Sequence, residues 1–144
     1  LDRVNAMLSF LYTIFTREYA AALESVGLDS YMGFYHSLRP GRESLACDLV
    51  EEGRCIVERF VLTLINLKII KPEDFDVQVS GAVFLNDDGR KKVLSKWQEK
   101  KRTDMIHPYL KEKIPMGLLP YVQSMLLAKF VRGEIDEYPC YLAR

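Results

Sequence analysis

The chain has 144 residues, 49% of them apolar, with 20 basic and 20 acidic side chains and no formal net charge. That length fits one domain with a sizeable core. The neutral balance excludes a global commitment to nucleic acid or membrane, so any affinity for phosphate must come from local clustering. The longest apolar runs, such as 60–65 and 125–128, are far too short to span a bilayer. No signal peptide is evident, and a start at Leu1 rather than Met leads us to expect a fragment of a longer protein. The three cysteines, Cys47, Cys55 and Cys140, form no CxxC pair. An odd, widely spaced set fits a reduced cytoplasmic protein whose cysteines act as small buried apolar residues.

Residues 3–25 predict one long helix, capped by Asp2 and ended by Gly27. Val4, Met7, Leu8, Leu11, Ile14 and Phe15 form its apolar stripe. Asn5 and Ser9, one turn apart, suit a cleft wall or plain surface. A connection rich in turn formers follows over 27–42, anchored by Tyr31, Phe34 and Tyr35 and carrying His36, Arg39 and Arg42. Ser44 is a candidate N-cap for a second long helix over 45–70, interrupted by Gly53 and closed by Pro72. Residues 77–79 and 83–85, joined through Ser80-Gly81, suggest a small hairpin. Asn86-Asp87-Asp88 then opens a third helix to about residue 102, with acids at its positive end. Its far end is basic, with Lys96, Lys100, Lys101 and Arg102 around Trp97, which is expected as a core anchor. Residues 103–114 carry no clear period, and His107 there is expected to be structural or on the surface. Pro115 or Pro120 opens the last helix, which Gly133 ends, and a tail over 138–144 packs through Tyr138 and Tyr141. The fold class expected is mainly α and multi-helical, with a possible small β-hairpin.

Asp48 and Glu51 lie three residues apart on the second predicted helix, so their carboxylates share a face, with Glu52 near it. The plain reading is a solvated acidic turn compensating a helix dipole. The chemical reading joins these acids to His36. Carboxylates with one imidazole suit Mn²⁺ or Mg²⁺ better than a structural zinc site. Such a cation can polarise a phosphodiester and activate a nucleophile. Arg39 and Arg42 could grip flanking phosphates, and Lys100, Lys101 and Arg102 offer a second phosphate surface. Ordinary surface charge accounts for both basic groups equally simply.

Three segments carry a family resemblance: VNAMLSFLY at 4–12, GLDSYMGFYH at 27–36 and RPGRESLACDLVEEGR at 39–54. Together and in this order, they resemble the CRISPR-associated integrase, the universal spacer-acquisition nuclease. HPYLKEK and the segment LLPYVQSMLLAKFVRGEIDEYP are most similar to the type I-C form. The resemblance covers essentially the whole chain and implies the helical C-terminal catalytic domain of that family. The family's N-terminal β-sandwich domain is absent from the sequence. It implies a metal-dependent DNA endonuclease and integrase that inserts spacer DNA into the CRISPR array by transesterification. By motif position, His36 and Glu51 match metal ligands, Asp48 matches a neighbouring catalytic acid, and Arg54 matches an arginine that braces the acids. A further ligand of the family, a glutamate on a helix before the Asn-x-x-Leu-Ser element, has no counterpart here. Glu18 and Glu24 come after that element. The implied partners are DNA (spacer precursor and array), a small ferredoxin-like Cas protein and a second copy in a homodimer, with no membrane. A non-catalytic DNA-binding or assembly module is the alternative for this chain taken alone.

Overall fold

The computed structural model describes residues 2–28 and 44–141, with the backbone alone for 44–47. Helix α1, Arg3–Ser25, is the central element. The Asp2 carboxylate accepts the Val4 N–H at 3.1 Å and starts it. Met7, Leu11, Phe15, Tyr19 and Leu23, each four residues from the next, are buried along one face. That face packs against α2 (Ser44–Glu52), α3 (Arg54–Asn66), α5 (Leu119–Val131) and strand β2 (Val83–Leu85). Helix α4, Asp87–Lys101, adds Trp97 to the centre. The Trp97 indole is fully buried and meets Phe15 of α1 at 5.4 Å and Phe60 of α3 at 5.1 Å, both edge to face. The expected core role of Trp97 is the observed one.

The second predicted helix is two helices. Gly53 separates α2 from α3, with its N–H on the Val50 carbonyl at 3.0 Å. A methyl group at Gly53 would lie 2.9 Å from the Phe15 ring, so the break lets that ring approach. Nor does α3 run on to Pro72. Lys68 turns into the left-handed region at φ 57, and Lys68 N–H and Ile69 N–H return to the Ile65 and Leu64 carbonyls. Helices α1 and α5 end with the same pair of returning bonds, using Gly27 and Gly133.

The expected hairpin is present, but its first strand, β1, is Phe75–Val77. Its pairs are Phe75–Leu85, Asp76–Phe84 and Val77–Val83. Val79 falls in the turn, closed by Gln78 N–H on the Ala82 carbonyl at 2.8 Å, and is fully exposed. A second antiparallel hairpin, β3 (Asp104–Ile106) with β4 (Lys113–Pro115), replaces the irregular stretch expected there. Its three-residue strands are too short to show a period of two. Lys111 at φ 57 and the bond from its N–H to the His107 carbonyl close the turn. The cysteine expectation is corrected where it can be examined. Cys55 lies on the outer side of α3, and both it and Cys140 are exposed. No helix among the described residues is long and apolar enough to cross a membrane.

Candidate functional site

No acid lies in the first turn of α2. Because the helix stops at Glu52, the acids occupy its second half, and compensation of its N-terminal dipole does not account for them. They also part company. Asp48 points inward at 1% exposure, beside the equally buried Leu49 and Val50. A carboxylate taken that far from water is costly unless it is served by polar partners or a cation. Glu51 points outward and accepts a charge-assisted bond from the Arg54 guanidinium, both side chains half exposed. That bond holds Arg54 above its ordinary basicity. The same guanidinium stands 6.0 Å from the centroid of the Tyr12 ring. So the last residue of the VNAMLSFLY segment meets the acidic turn through Arg54. Tyr12 is pushed up by burial and then by Glu58, Arg54 only partly opposing them.

Glu52 turns away from both neighbours. Its Oε1 accepts the Tyr141 N–H at 2.8 Å, the Tyr138 hydroxyl at 2.9 Å and the Gln123 amide at 3.4 Å. Burial raises its carboxyl, and these three donors pull it back only in part. The shared face expected for Asp48, Glu51 and Glu52 is therefore one buried acid, one solvated acid and one acid committed to the C-terminal tail.

His36, Arg39 and Arg42 lie outside the described residues. Among the described residues, no group of three or more His, Cys, Asp or Glu side chains stands close enough to hold a metal ion. Asp48 and Glu51 do supply the hard oxygen donors that Mn²⁺ and Mg²⁺ take. Glu18 is occupied elsewhere. It accepts the Lys101 ammonium at 2.6 Å and the Trp97 indole N–H at 3.3 Å, tying α1 to α4.

The basic end of α4 divides in the same way. Lys100 and Arg102 are exposed, whereas Lys101 is drawn inward onto Glu18. Lys100 lines a cleft of about 390 Å³ between α3 and α4 with Arg59 and Lys96, over the buried Phe60 and Leu64. Asn5 and Ser9, exposed on α1, line another cleft of about 330 Å³ with Arg90 of α4.

Sequence reasoning missed a buried polar set behind α2. His107 is structural, at 1% exposure. Its Nδ1 accepts the Tyr109 and Leu110 N–H groups at 3.2 Å each, so Nε2 carries the proton and donates to Gln123 Oε1 at 2.6 Å. The Gln123 amide donates onward to the Tyr138 hydroxyl at 2.7 Å. The legible signal was Gln123 itself, a polar residue beside Ser124 in the mostly apolar first half of α5.

A family model described as CRISPR associated protein Cas1 matches residues 1–99. A protein named CRISPR-associated endonuclease Cas1 2 from Rhodospirillum rubrum is 51% identical over 96% of the chain and 41% of its own length. CRISPR-associated endonuclease Cas1 1 from Chlorobaculum tepidum is 48% identical over 100% of the chain and 42% of its length. The chain thus spans roughly two fifths of these relatives. Among solved structures, a casposase bound to integration product superposes with TM-score 0.88 at 25% identity, covering 96% of this chain and 38% of that one. A CAS1 protein from Thermotoga maritima gives 0.80 at 25% identity, covering 90% and 40%.

Proposed function

The chain belongs to the CRISPR-associated Cas1 family, and on that premise we propose that it is the mainly helical catalytic part of a metal-dependent DNA endonuclease and integrase. The reaction is insertion of spacer DNA into a CRISPR array by transesterification. A DNA 3′-hydroxyl attacks an array phosphodiester, the new P–O bond forms, and the displaced strand leaves with its own 3′-hydroxyl. The relatives named as endonucleases and the casposase bound to integration product support the reaction class. The observation that carries the reading is Asp48, a carboxylate at 1% exposure on the helix turn that also carries Glu51, within the segment the family model matches.

In this reading His36 and Glu51 hold a divalent ion, Mn²⁺ or Mg²⁺, and Asp48 supports the site from its buried side. The ion supplies charge stabilisation at the phosphate and lowers the proton affinity of the attacking hydroxyl. The protein's own share is positional. Arg54 donates to the Glu51 carboxylate and would orient it for a bound divalent ion. Arg39 and Arg42, with Lys100 and Arg102 on α4, grip flanking phosphates. Lys101 takes part only if it leaves Glu18. The type I-C form, a homodimer, a small ferredoxin-like Cas partner and a cytoplasmic location complete the proposal.

The test is a Mn²⁺ titration with a DNA-nicking and integration assay, run on a protein of the relatives' full length. His36→Ala is expected to abolish metal-dependent integration, and undiminished integration sinks the site assignment. DNA binding indifferent to metal, with no nicking by the parent protein, would instead favour a DNA-binding or assembly module.

A further inference from the structure

The acidic turn is held from behind by residues far away in sequence. Helix α2 stops at Glu52, and the chain breaks direction at Gly53. A last helical turn with no further constraint frays, and this one carries Glu51. Here it is gripped through one atom. Glu52 Oε1 receives three donors, from Tyr138, Tyr141 and Gln123, at 2.9, 2.8 and 3.4 Å. Those donors are themselves fixed. Gln123 is fully buried in α5; one amide hydrogen goes to the Tyr138 hydroxyl at 2.7 Å, and the other is shared between the Pro139 carbonyl at 3.2 Å and Glu52 at 3.4 Å. His107, at the end of β3, locks the Gln123 amide by accepting on one ring nitrogen and donating on the other. The grip on Glu52 therefore draws on the C-terminal tail, α5 and the second hairpin together.

We propose that Glu52 is a positioning residue, which uses Tyr138, Tyr141, Gln123 and His107 to set the direction in which α2 presents Asp48 and Glu51. Its consequence for metal rests on the reading in the preceding subsection; its effect on the order of the turn does not. A hydrogen-bonded support of this kind is expected to change metal affinity by roughly 10–100-fold when removed.

Two variants separate positioning from charge. Glu52→Gln removes the anion. Tyr138→Phe keeps every charge and removes one donor and one acceptor from the support. Both are placed in a protein of the relatives' full length and followed by amide hydrogen exchange and by Mn²⁺ binding read by electron paramagnetic resonance. In both, the amides of residues 49–52 are expected to exchange about tenfold faster while those of α4 stay unchanged, and Mn²⁺ affinity is expected to fall about tenfold. If Tyr138→Phe leaves the exchange of 49–52 unchanged, the positioning role is overturned. If only Glu52→Gln weakens Mn²⁺ binding, Glu52 acts through charge and the proposal is again overturned. If the parent chain binds no Mn²⁺ that Asp48→Asn removes, the metal reading fails alone, and the exchange measurement still decides the positioning role.

Discussion

Asp74 and Glu52 are two withdrawn carboxylates that each tie distant segments together, yet their surroundings push them in opposite directions. Asp74, at 2% exposure, sits in a 3-10 turn, Pro72–Asp74, before β1. Its Oδ2 accepts the Lys71 N–H at 2.9 Å and the Lys92 ammonium at 3.0 Å. Burial pushes its carboxyl up, but the Lys71 N–H and Lys92 together outweigh burial and hold it below its ordinary value. Glu52 has three donors and no cation among the bonds at its carboxylate. Burial wins there, and its carboxyl stands above its ordinary value. The Lys71 N–H does most to lower Asp74 and the Lys92 ammonium adds to it, whereas at Glu52 burial outweighs three neutral donors.

The largest expected effect breaks the Asp74 junction by crowding it. A methyl group at Gly89 would lie 2.3 Å from the Asp74 carbonyl oxygen and 2.9 Å from Leu85 Cδ2. Gly89→Ala is expected to cost about 3 kcal/mol in urea unfolding, and a loss below about 1 kcal/mol would mean the turn and α4 can slide apart. Asp74→Ala should cost about 2 kcal/mol, because the Lys71 N–H and the Lys92 ammonium lose their shared acceptor. A neutral result would show that water replaces the carboxylate without penalty.

The pH dependence sharpens the contrast. The lowered carboxyl of Asp74 contributes stability above its ordinary value of 3.8 and loses it as pH falls through the lower folded value. The stability gap between the parent and Asp74→Asn should therefore close on acidification. The raised carboxyl of Glu52 contributes most below its ordinary value of 4.5 and loses that share as pH rises through the higher folded value. Glu52→Gln should consequently gain on the parent as pH rises through that window. Slopes of the same sign for both pairs, measured by thermal unfolding across pH 3–7 (roughly the carboxylate range), would dissolve the comparison. The smallest effect is expected from Lys92→Met. Lys92 is 42% exposed, so screening limits its share, but Asp74 is left buried with the Lys71 N–H as its donor and the loss should cost about 1 kcal/mol.

How far this molecule could be read in advance depended on the range of the forces involved. Helices α1, α4 and α5 were legible because their signals are local: Asp2 and Gly27 bound α1, Asn86 caps α4, and Pro120 and Gly133 bound α5. The end of α3 was not, because Lys68 performs the turn that Gly27 and Gly133 perform elsewhere, and nothing local marks a lysine for the left-handed region. The second hairpin escaped notice because strands of three residues carry no readable period. In the candidate site, the spacing of Asp48 and Glu51 placed both on one helix, but it could not tell which would be buried. Lys101 looked like its neighbour Lys100 until Glu18, 83 residues away, claimed it.

By itself, the sequence determined the mainly helical class, the caps and the order of motifs that mark the Cas1 family. The class and the caps follow from residues within a few positions of one another, and the motif order can be read along the chain without knowing how it folds. Only the tertiary structure decided the fates of three neighbouring acids. Asp48 was buried, Glu51 was left to Arg54, and Glu52 was taken by a tail nearly ninety residues on. A carboxylate's protonation and direction are set by what surrounds it, and those surroundings are assembled from the whole chain.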